Sequence, residues 1–160
     1  MSNVFRRYHS KTGNEFYDNL VEIGILLTRF LSNEKNVPKS YRFIYTIPII
    51  NLIDRESDWV TRAYNIYPAG NRAEELLAQK QDAYQKAKDV NDAIIQRLQN
   101  MIFRLNMDPD RLEEIGRRLM EESSMLAEVR NKCRIQPERP PKQAEKKEGP
   151  QKTRPPARRG

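Results

Sequence analysis

Two arginines in the stretch "NDAIIQRLQNMIFRL", residues 91–105, have a spacing that suits the binding of an extended anion. Arg97 and Arg104 are seven residues apart, so an α-helix would place both on one side. The apolar residues of the stretch have the three- and four-residue spacing of a buried helix surface: Ile94, Leu98, Met101 and Leu105. Two interpretations follow. The arginines cover apolar surface with their heads in water, or they bind a phosphate backbone.

A second arginine pair, Arg117 and Arg118, lies in the middle of the predicted fourth helix. Any one of these arginines alone favours the solvated interpretation. Together with the basic C-terminal segment, they favour an electrostatic site for a phosphate backbone, and symmetric assembly would repeat that patch around a ring. The sequence has no RRM or zinc-finger signature, so we expect no base-specific contacts.

Residues suited to catalysis are few. His9 is the single histidine and lies in a polar N-terminal stretch, so we interpret it as a solvated residue. Lys132 and Arg134 would lower the pKa of the Cys133 thiol, but no base accompanies it, and we interpret it as a half-buried packing residue. Three glutamate pairs are interpreted as solvated helix faces: Glu74–Glu75, Glu113–Glu114 and Glu121–Glu122. We therefore predict no enzymatic activity, no metal site and no cofactor.

Charge and proline content divide the chain at residue 136. Residues 136–160 hold 8 Lys or Arg and 3 Glu, a net charge of +5 out of the total of +7, and 6 of the 10 prolines. Almost no apolar side chains occur there, so we predict a disordered basic tail. The single cysteine, the absence of an apolar run long enough to cross a bilayer and the lack of a signal peptide predict a cytoplasmic protein without a membrane partner.

Four amphipathic helices would position these side chains. Apolar spacing and capping residues predict helices over residues 14–32, 38–67, 72–105 and 109–134. Asn14 and Asp108 are predicted N-caps, and Pro109 suits the first helical position. The chain is thus predicted to be all-α, an antiparallel up-down four-helix bundle over residues 14–135, after a flexible segment, residues 1–13.

The predicted second helix is apolar on two sides. Tyr41, Tyr45, Ile49 and Leu52 lie on one side, and Phe43, Ile47 and Ile50 lie on the other. A helix that is apolar all round must be covered all round, so we predict that the Tyr41, Tyr45, Ile49 and Leu52 side forms an interface between subunits. Pro48 should kink this helix. Such a kink could instead rotate one apolar side into register with later core positions, which is the alternative.

Three segments in order resemble one known family. "VPKSYRF" (37–43), "RLQNMIFRLNM" (97–107) and "LEEIGRRLMEES" (112–123) are similar to the four-helix accessory proteins of diversity-generating retroelements, the accessory variability determinants. That family in turn resembles the four-helix proteins encoded in ribosomal-RNA intervening sequences. The resemblance covers about residues 14–134. By position, it assigns basic roles to Lys39, Arg42, Arg97, Arg104 and Arg117.

The resemblance implies a homopentamer that binds a reverse transcriptase and its template RNA or cDNA. Such a subunit has no catalytic role of its own. It supports mutagenic cDNA synthesis in the cytoplasm of a bacterium and is encoded by the bacterium or by a phage. The predicted nucleic-acid site is the following set: Lys39, Arg42, Arg97, Arg104, Arg117 and Arg118. The alternatives are a helical oligomeric adaptor that binds only protein, and an intervening-sequence-type protein without a polymerase partner.

Overall fold

The computed structural model of the chain describes residues 15–139, and residues 1–14 and 140–160 lie outside the described part. Within residues 15–139 every regular element is helical and there is no strand, which confirms the all-α prediction for this part. The α-helices are α1 Glu15–Ser32, α2 Ile47–Asn65, α3 Ala73–Arg104 and α4 Glu113–Lys132. The predicted cap Asn14 and the histidine His9 fall outside the described residues.

The second predicted helix does not begin as an α-helix. A 3₁₀-helix, Lys39–Tyr41, and a π-helix, Arg42–Thr46, precede α2. The Ile47 N–H donates to the Arg42 carbonyl, a π-type bond, and Pro48 follows in the first turn of α2, where its missing N–H needs no partner. Pro48 therefore lies at the start of an α-helix, whereas the prediction of a kink placed it in the middle of one.

The four helices pack in the order α1, α2, α3, α4, and α4 also contacts α1. The contact between α1 and α2 is the least extensive of the four. A first apolar cluster joins the C-terminal halves of α1 and α3 to the N-terminal halves of α2 and α4; its members include Ile23, Leu27, Ile49, Ile94, Met101 and Leu119. A second cluster joins the opposite halves; its members include Phe16, Leu20, Val60, Tyr84 and Leu126. All four helices therefore contribute apolar side chains to both clusters, which follow one another along the helices.

A layer of polar side chains lies between the two apolar clusters along the chain. Glu56 of α2, Asn91 of α3 and Glu122 of α4 are each 0% exposed. Along its own helix, each of the three lies between a residue of the first cluster and a residue of the second cluster. We call these three residues the polar layer. Burial of glutamate requires a compensating interaction, so this layer is the least expected part of the core.

The connections between helices use residues suited to their backbone conformations. Gly70 has φ +73° where the chain turns into α3, a conformation that glycine adopts without steric cost. The Asp108 side chain accepts a hydrogen bond from the Asp110 N–H at 3.0 Å, which confirms the predicted cap, although a 3₁₀-helix, Pro109–Leu112, separates that cap from α4.

After α4 the chain returns to the connection between α2 and α3. The Gln136 N–H donates to the Pro68 carbonyl at 2.8 Å, and the Tyr67 hydroxyl donates to the Pro137 carbonyl at 2.9 Å. The Arg139 guanidinium lies 4.1 Å from the centre of the Tyr67 ring. Residues 136–139 of the segment predicted to be disordered therefore contact the connection between α2 and α3, and the rest of that segment lies outside the described residues.

Candidate nucleic-acid interface

Arg97 and Arg104 lie together in a groove of about 430 Å³ between the residues that open α2 and the C-terminal half of α3. We call it the arginine groove. Side chains that line it include Ile44, Tyr45, Gln96, Arg97, Asn100 and Arg104. The seven-residue spacing places the two guanidiniums on one side of α3, as the sequence predicts, about 10 Å apart along the axis at 1.5 Å per residue. The groove therefore combines cations, amides and apolar surface.

The two groove arginines are exposed and make no ion pair with any of the described residues. Eight other lysines and arginines within residues 15–139 do make an ion pair. A guanidinium without a carboxylate partner keeps its full charge and its donors for an anion from outside. Of the predicted set, Arg97 and Arg104 thus have the geometry that a phosphate-binding pair requires.

Lys39 and Arg42 lie in the short helices before α2, and both are exposed. Each makes an ion pair with Glu34, at 3.2 Å for Lys39 and 3.7 Å for Arg42. One carboxylate thus serves two cations, which leaves a local excess of positive charge. Exposed pairs of this kind contribute roughly 0–1 kcal/mol, so they do not prevent either side chain from turning to another anion.

Arg117 and Arg118 lie elsewhere. Arg117 lines a separate groove between α1 and α4, and it pairs with Glu121 at 2.5 Å. Arg118 pairs with Glu114 at 3.4 Å and donates to the Asn19 side-chain oxygen at 3.4 Å. Because α1 and α4 are the helix pair opposite α2 and α3, this groove lies across the bundle from the arginine groove. The structure therefore does not bring the six predicted residues into one site.

The predicted subunit interface is also divided. Tyr45 is 7% exposed and Ile49 is 0% exposed, and both belong to the first apolar cluster. Leu52 is half-buried against that cluster, and only Tyr41, at 40%, is substantially exposed. This apolar side faces the core of its own chain because α3 and α1 cover it. It is not an open surface in the single chain, and this corrects the sequence-based prediction.

The two most exposed apolar side chains of the described residues adjoin residues of the arginine groove in the sequence. Phe43 is 79% exposed and Phe103 is 85% exposed, and Ile44 and Ile47 are exposed as well. Phe43 precedes the groove residue Ile44, and Phe103 precedes Arg104. Large apolar side chains in such positions are typical of a surface that contacts a partner. A self-association surface would use these residues in place of Tyr45 and Ile49.

The polar layer contains one titratable group whose predicted solvent exposure is wrong, Glu122, and one for which the sequence analysis made no prediction, Glu56. Glu122 was interpreted as part of a solvated face, but it is buried, and its Oε2 accepts a hydrogen bond from Asn19 at 2.8 Å. Asn91 donates to the Leu119 carbonyl at 2.8 Å. Four acceptor oxygens, both of Glu56 and one each of Asn91 and Glu122, have no hydrogen-bond partner among the described residues. The signal was present in the sequence, since Leu119, Glu122 and Leu126 keep the three-four spacing of a core.

The environment of the polar layer favours neutral carboxyl groups. Burial, with smaller contributions from the charges of Glu122 and Asp92, raises the pKa of Glu56 from 4.5 to about 9. Burial raises the pKa of Glu122 to about 8, against a smaller opposite effect of the Asn19 hydrogen bond. A protonated carboxyl carries an O–H donor. Protonation therefore supplies donors to a layer whose unpartnered polar atoms are all acceptor oxygens.

Cys133 is half-buried, and its Sγ lies 3.2 Å from the Val129 carbonyl oxygen. Burial raises the pKa of its thiol, and the charge of Lys80 opposes this effect. The direction is opposite to the one that its neighbours in the sequence predict. The packing interpretation fits this position, because a thiol with a raised pKa is a poor nucleophile at neutral pH.

Two searches of the described residues and three comparisons complete the description. Within residues 15–139, no group of three or more His, Cys, Asp or Glu side chains is arranged to hold a metal ion. None of the helices there combines the length and the apolar character that a bilayer crossing requires. No family model, no curated protein and no solved structure matches the chain.

Proposed function

We propose that this protein is a non-catalytic accessory subunit that binds the phosphate backbone of an RNA or cDNA strand in the arginine groove. The observation that carries the proposal is the presence in one groove of two exposed arginines, Arg97 and Arg104, that make no ion pair within residues 15–139. The basic pair Lys39 and Arg42 at the start of the second helix and the basic C-terminal segment would add further phosphate contacts.

The partner in this proposal is a reverse transcriptase of a diversity-generating retroelement, and the bound strand is its template RNA or the cDNA. This part rests on the three sequence segments that resemble the accessory variability determinants. We further propose that the protein is a homopentamer located in the cytoplasm. We also propose an antiparallel up-down arrangement of the four helices, which is supported by the pairing of opposite helix halves in the two apolar clusters. A reverse transcriptase reading frame beside the gene would support the partner, and its absence would favour the intervening-sequence type of protein.

Fluorescence anisotropy with a labelled single-stranded RNA, measured across salt concentrations, tests the binding. Each neutralised phosphate contributes a slope of about −0.7 to the plot of log affinity against log salt. The double variant Arg97→Glu/Arg104→Glu should therefore weaken binding and make the slope shallower by about 1.4.

The matched control is Arg55→Glu/Arg62→Glu, which changes the net charge equally at two exposed positions outside the groove. We expect this control to bind almost as tightly as the unmodified chain. Equal losses in the two double variants would mean that only net charge matters, and a wild-type chain that binds no RNA at low salt would refute the proposal.

A second candidate function, a helical adaptor that binds only protein, is favoured by the exposure of Phe43 and Phe103. Light scattering of the purified chain measures its assembly. If Phe43→Ser/Phe103→Ser dissociates an oligomer and Arg97→Glu/Arg104→Glu has no effect on any nucleic acid, the adaptor is the better assignment. If charge reversal at Arg97 and Arg104 abolishes RNA binding and leaves the assembly intact, the accessory subunit is the better assignment.

A further inference from the structure

A second pocket, of about 460 Å³, lies beside the arginine groove and shares Arg104 with it. The connection between α1 and the first 3₁₀-helix forms one wall, and the connection between α3 and α4 forms the other. We call it the loop pocket. Its polar and aromatic lining consists chiefly of Lys35, Asn36, Tyr41, Arg104, Asn106 and Arg111. The sequence analysis singled out neither Lys35 nor Arg111.

The loop pocket carries an excess of positive charge. Lys35, Arg104 and Arg111 line it, and none of the three makes an ion pair with a described residue. Asp108 is the one carboxylate in the lining, and one of its oxygens already accepts a hydrogen bond from the Asp110 N–H. Three cations against one anion leave a net charge of +2, so an anion with two negative charges would neutralise the pocket.

Arg111 is held in place by neutral groups. Its guanidinium donates to the side-chain oxygen of Asn36 and lies 5.9 Å from the centre of the Phe30 ring. Asn36 is itself fixed, because its amide donates to the Phe30 carbonyl at 2.9 Å. These contacts orient the guanidinium without neutralising it, and its remaining N–H donors stay available. An oriented arginine loses less conformational entropy when it binds an anion bidentately.

The connection between α3 and α4 shapes the other wall. Asn106 has φ +47°, a left-handed conformation that asparagine tolerates better than most residues, and it turns the chain directly after Arg104 and Leu105. Tyr41, which is 40% exposed, supplies an aromatic surface in the same pocket. Aromatic side chains of this kind stack on unpaired bases.

We propose that the loop pocket binds a phosphate monoester, carried by the 5′ end of the RNA strand that occupies the arginine groove. The inference rests on the proposed function, because the groove must hold the strand. A monoester carries about −1.5 to −2 charges at pH 7, whereas a phosphodiester within a strand carries one negative charge, so the charge of the pocket selects the strand end. Arg104 belongs to both sites, which makes the pocket the next position along a strand bound in the groove.

The test compares two RNA oligonucleotides of one sequence, labelled at the 3′ end, with either a 5′-phosphate or a 5′-hydroxyl. Anisotropy with the full chain should show binding of the 5′-phosphate form about tenfold tighter. Arg111→Gln and, separately, Lys35→Gln should reduce this preference to near unity while the affinity for the 5′-hydroxyl form stays the same. Arg97→Gln, in the groove, should weaken both forms by the same factor and keep the preference.

The outcomes separate this inference from the proposed function. Equal binding of the two RNA forms would overturn the loop pocket and leave the arginine groove standing. No binding of either form would overturn both. If a nucleoside monophosphate at the same concentration as the RNA displaces the 5′-phosphate RNA, the loop pocket binds a free nucleotide. That result would overturn the proposal that the pocket binds the end of a strand. Circular dichroism of Arg111→Gln and Lys35→Gln verifies folding, and agreement between the two variants excludes a local distortion at one residue.

Discussion

Replacing Glu56 by glutamine should make the stability of the protein less dependent on pH. The pKa of Glu56 is raised from 4.5 to about 9 and that of Glu122 to about 8, so both carboxyls keep a proton in the native state that the unfolded chain releases above about pH 4.5. Because the native state binds more protons at these two carboxyls, their contribution to the free energy of unfolding is greatest below the unfolded pKa values. It falls as the pH rises towards the folded ones.

The magnitude follows from this linkage. Each carboxyl that remains protonated contributes a decrease of about 1.4 kcal/mol per pH unit, so the two together give about 2.7 kcal/mol per unit between about pH 5.5 and about pH 7.5. Glu56→Gln cannot titrate and should halve this slope, and the double variant with Glu122→Gln should bring it near zero. Glutamine also carries N–H donors, which an ionised carboxylate lacks.

Guanidinium unfolding followed by circular dichroism at several pH values measures the slope. Glu113→Gln, an exposed glutamate at the start of α4, is the matched control and should leave the slope unchanged. His9 is present in every variant, so its titration cancels in the comparison. A slope in Glu56→Gln equal to that of the unmodified chain would show that Glu56 binds no extra proton in the native state and would refute the reasoning.

Three further predictions concern the core, a helix start and the thiol. Ile49→Ala should lower the free energy of unfolding by about 2–5 kcal/mol, whereas Phe43→Ser should change it by less than about 0.5 kcal/mol in the monomer; denaturant titration distinguishes a core residue from a surface one. Asp108→Ala should cost about 1 kcal/mol in the same assay, since the Asp110 N–H loses its acceptor. Cys133 should react with a thiol reagent at about pH 8 more slowly in the native protein than after denaturation, because burial raises its pKa.

The helices that the sequence predicts most closely are the ones with a single apolar side. The prediction for the third helix, residues 72–105, differs from α3 by one residue at each end. The end of α3 and the start of the next helix were predictable because Asp108 and Pro109 give local signals that do not depend on the rest of the fold. The shared side of Arg97 and Arg104 was predictable because it follows from helical spacing alone, but the groove itself also needs the start of the second helix.

The start of the second helix was not predictable in this way. Its two apolar sides are equally apolar in sequence, so periodicity does not say which of them faces the core. The π-helix Arg42–Thr46 has no local sequence signature, and it changes the angular relation between the residues before and after it. Tertiary packing decides that Tyr45 and Ile49 face inward and Phe43 outward. The position of Arg117 across the bundle likewise depends on helix order, which no local pattern contains.

Two departures from the expected pattern of apolar core and polar surface remain, and they differ in kind. Phe43 and Phe103 are apolar where the chain faces solvent, and each adjoins a residue of the arginine groove. A partner that covers them would remove the departure, so they belong with the proposed assembly.

The polar layer is closed to partners, since Glu56, Asn91 and Glu122 are fully buried within one chain. Its carboxyls lower stability at neutral pH relative to apolar side chains. The layer instead fixes the alignment of the helices along their axes. The two carboxyls and the amide must meet between the two apolar clusters, because a helix shifted by one turn would place them against apolar side chains. We therefore infer that the layer specifies how the helices align and, through that alignment, which α3 residues meet the start of α2 to form the groove.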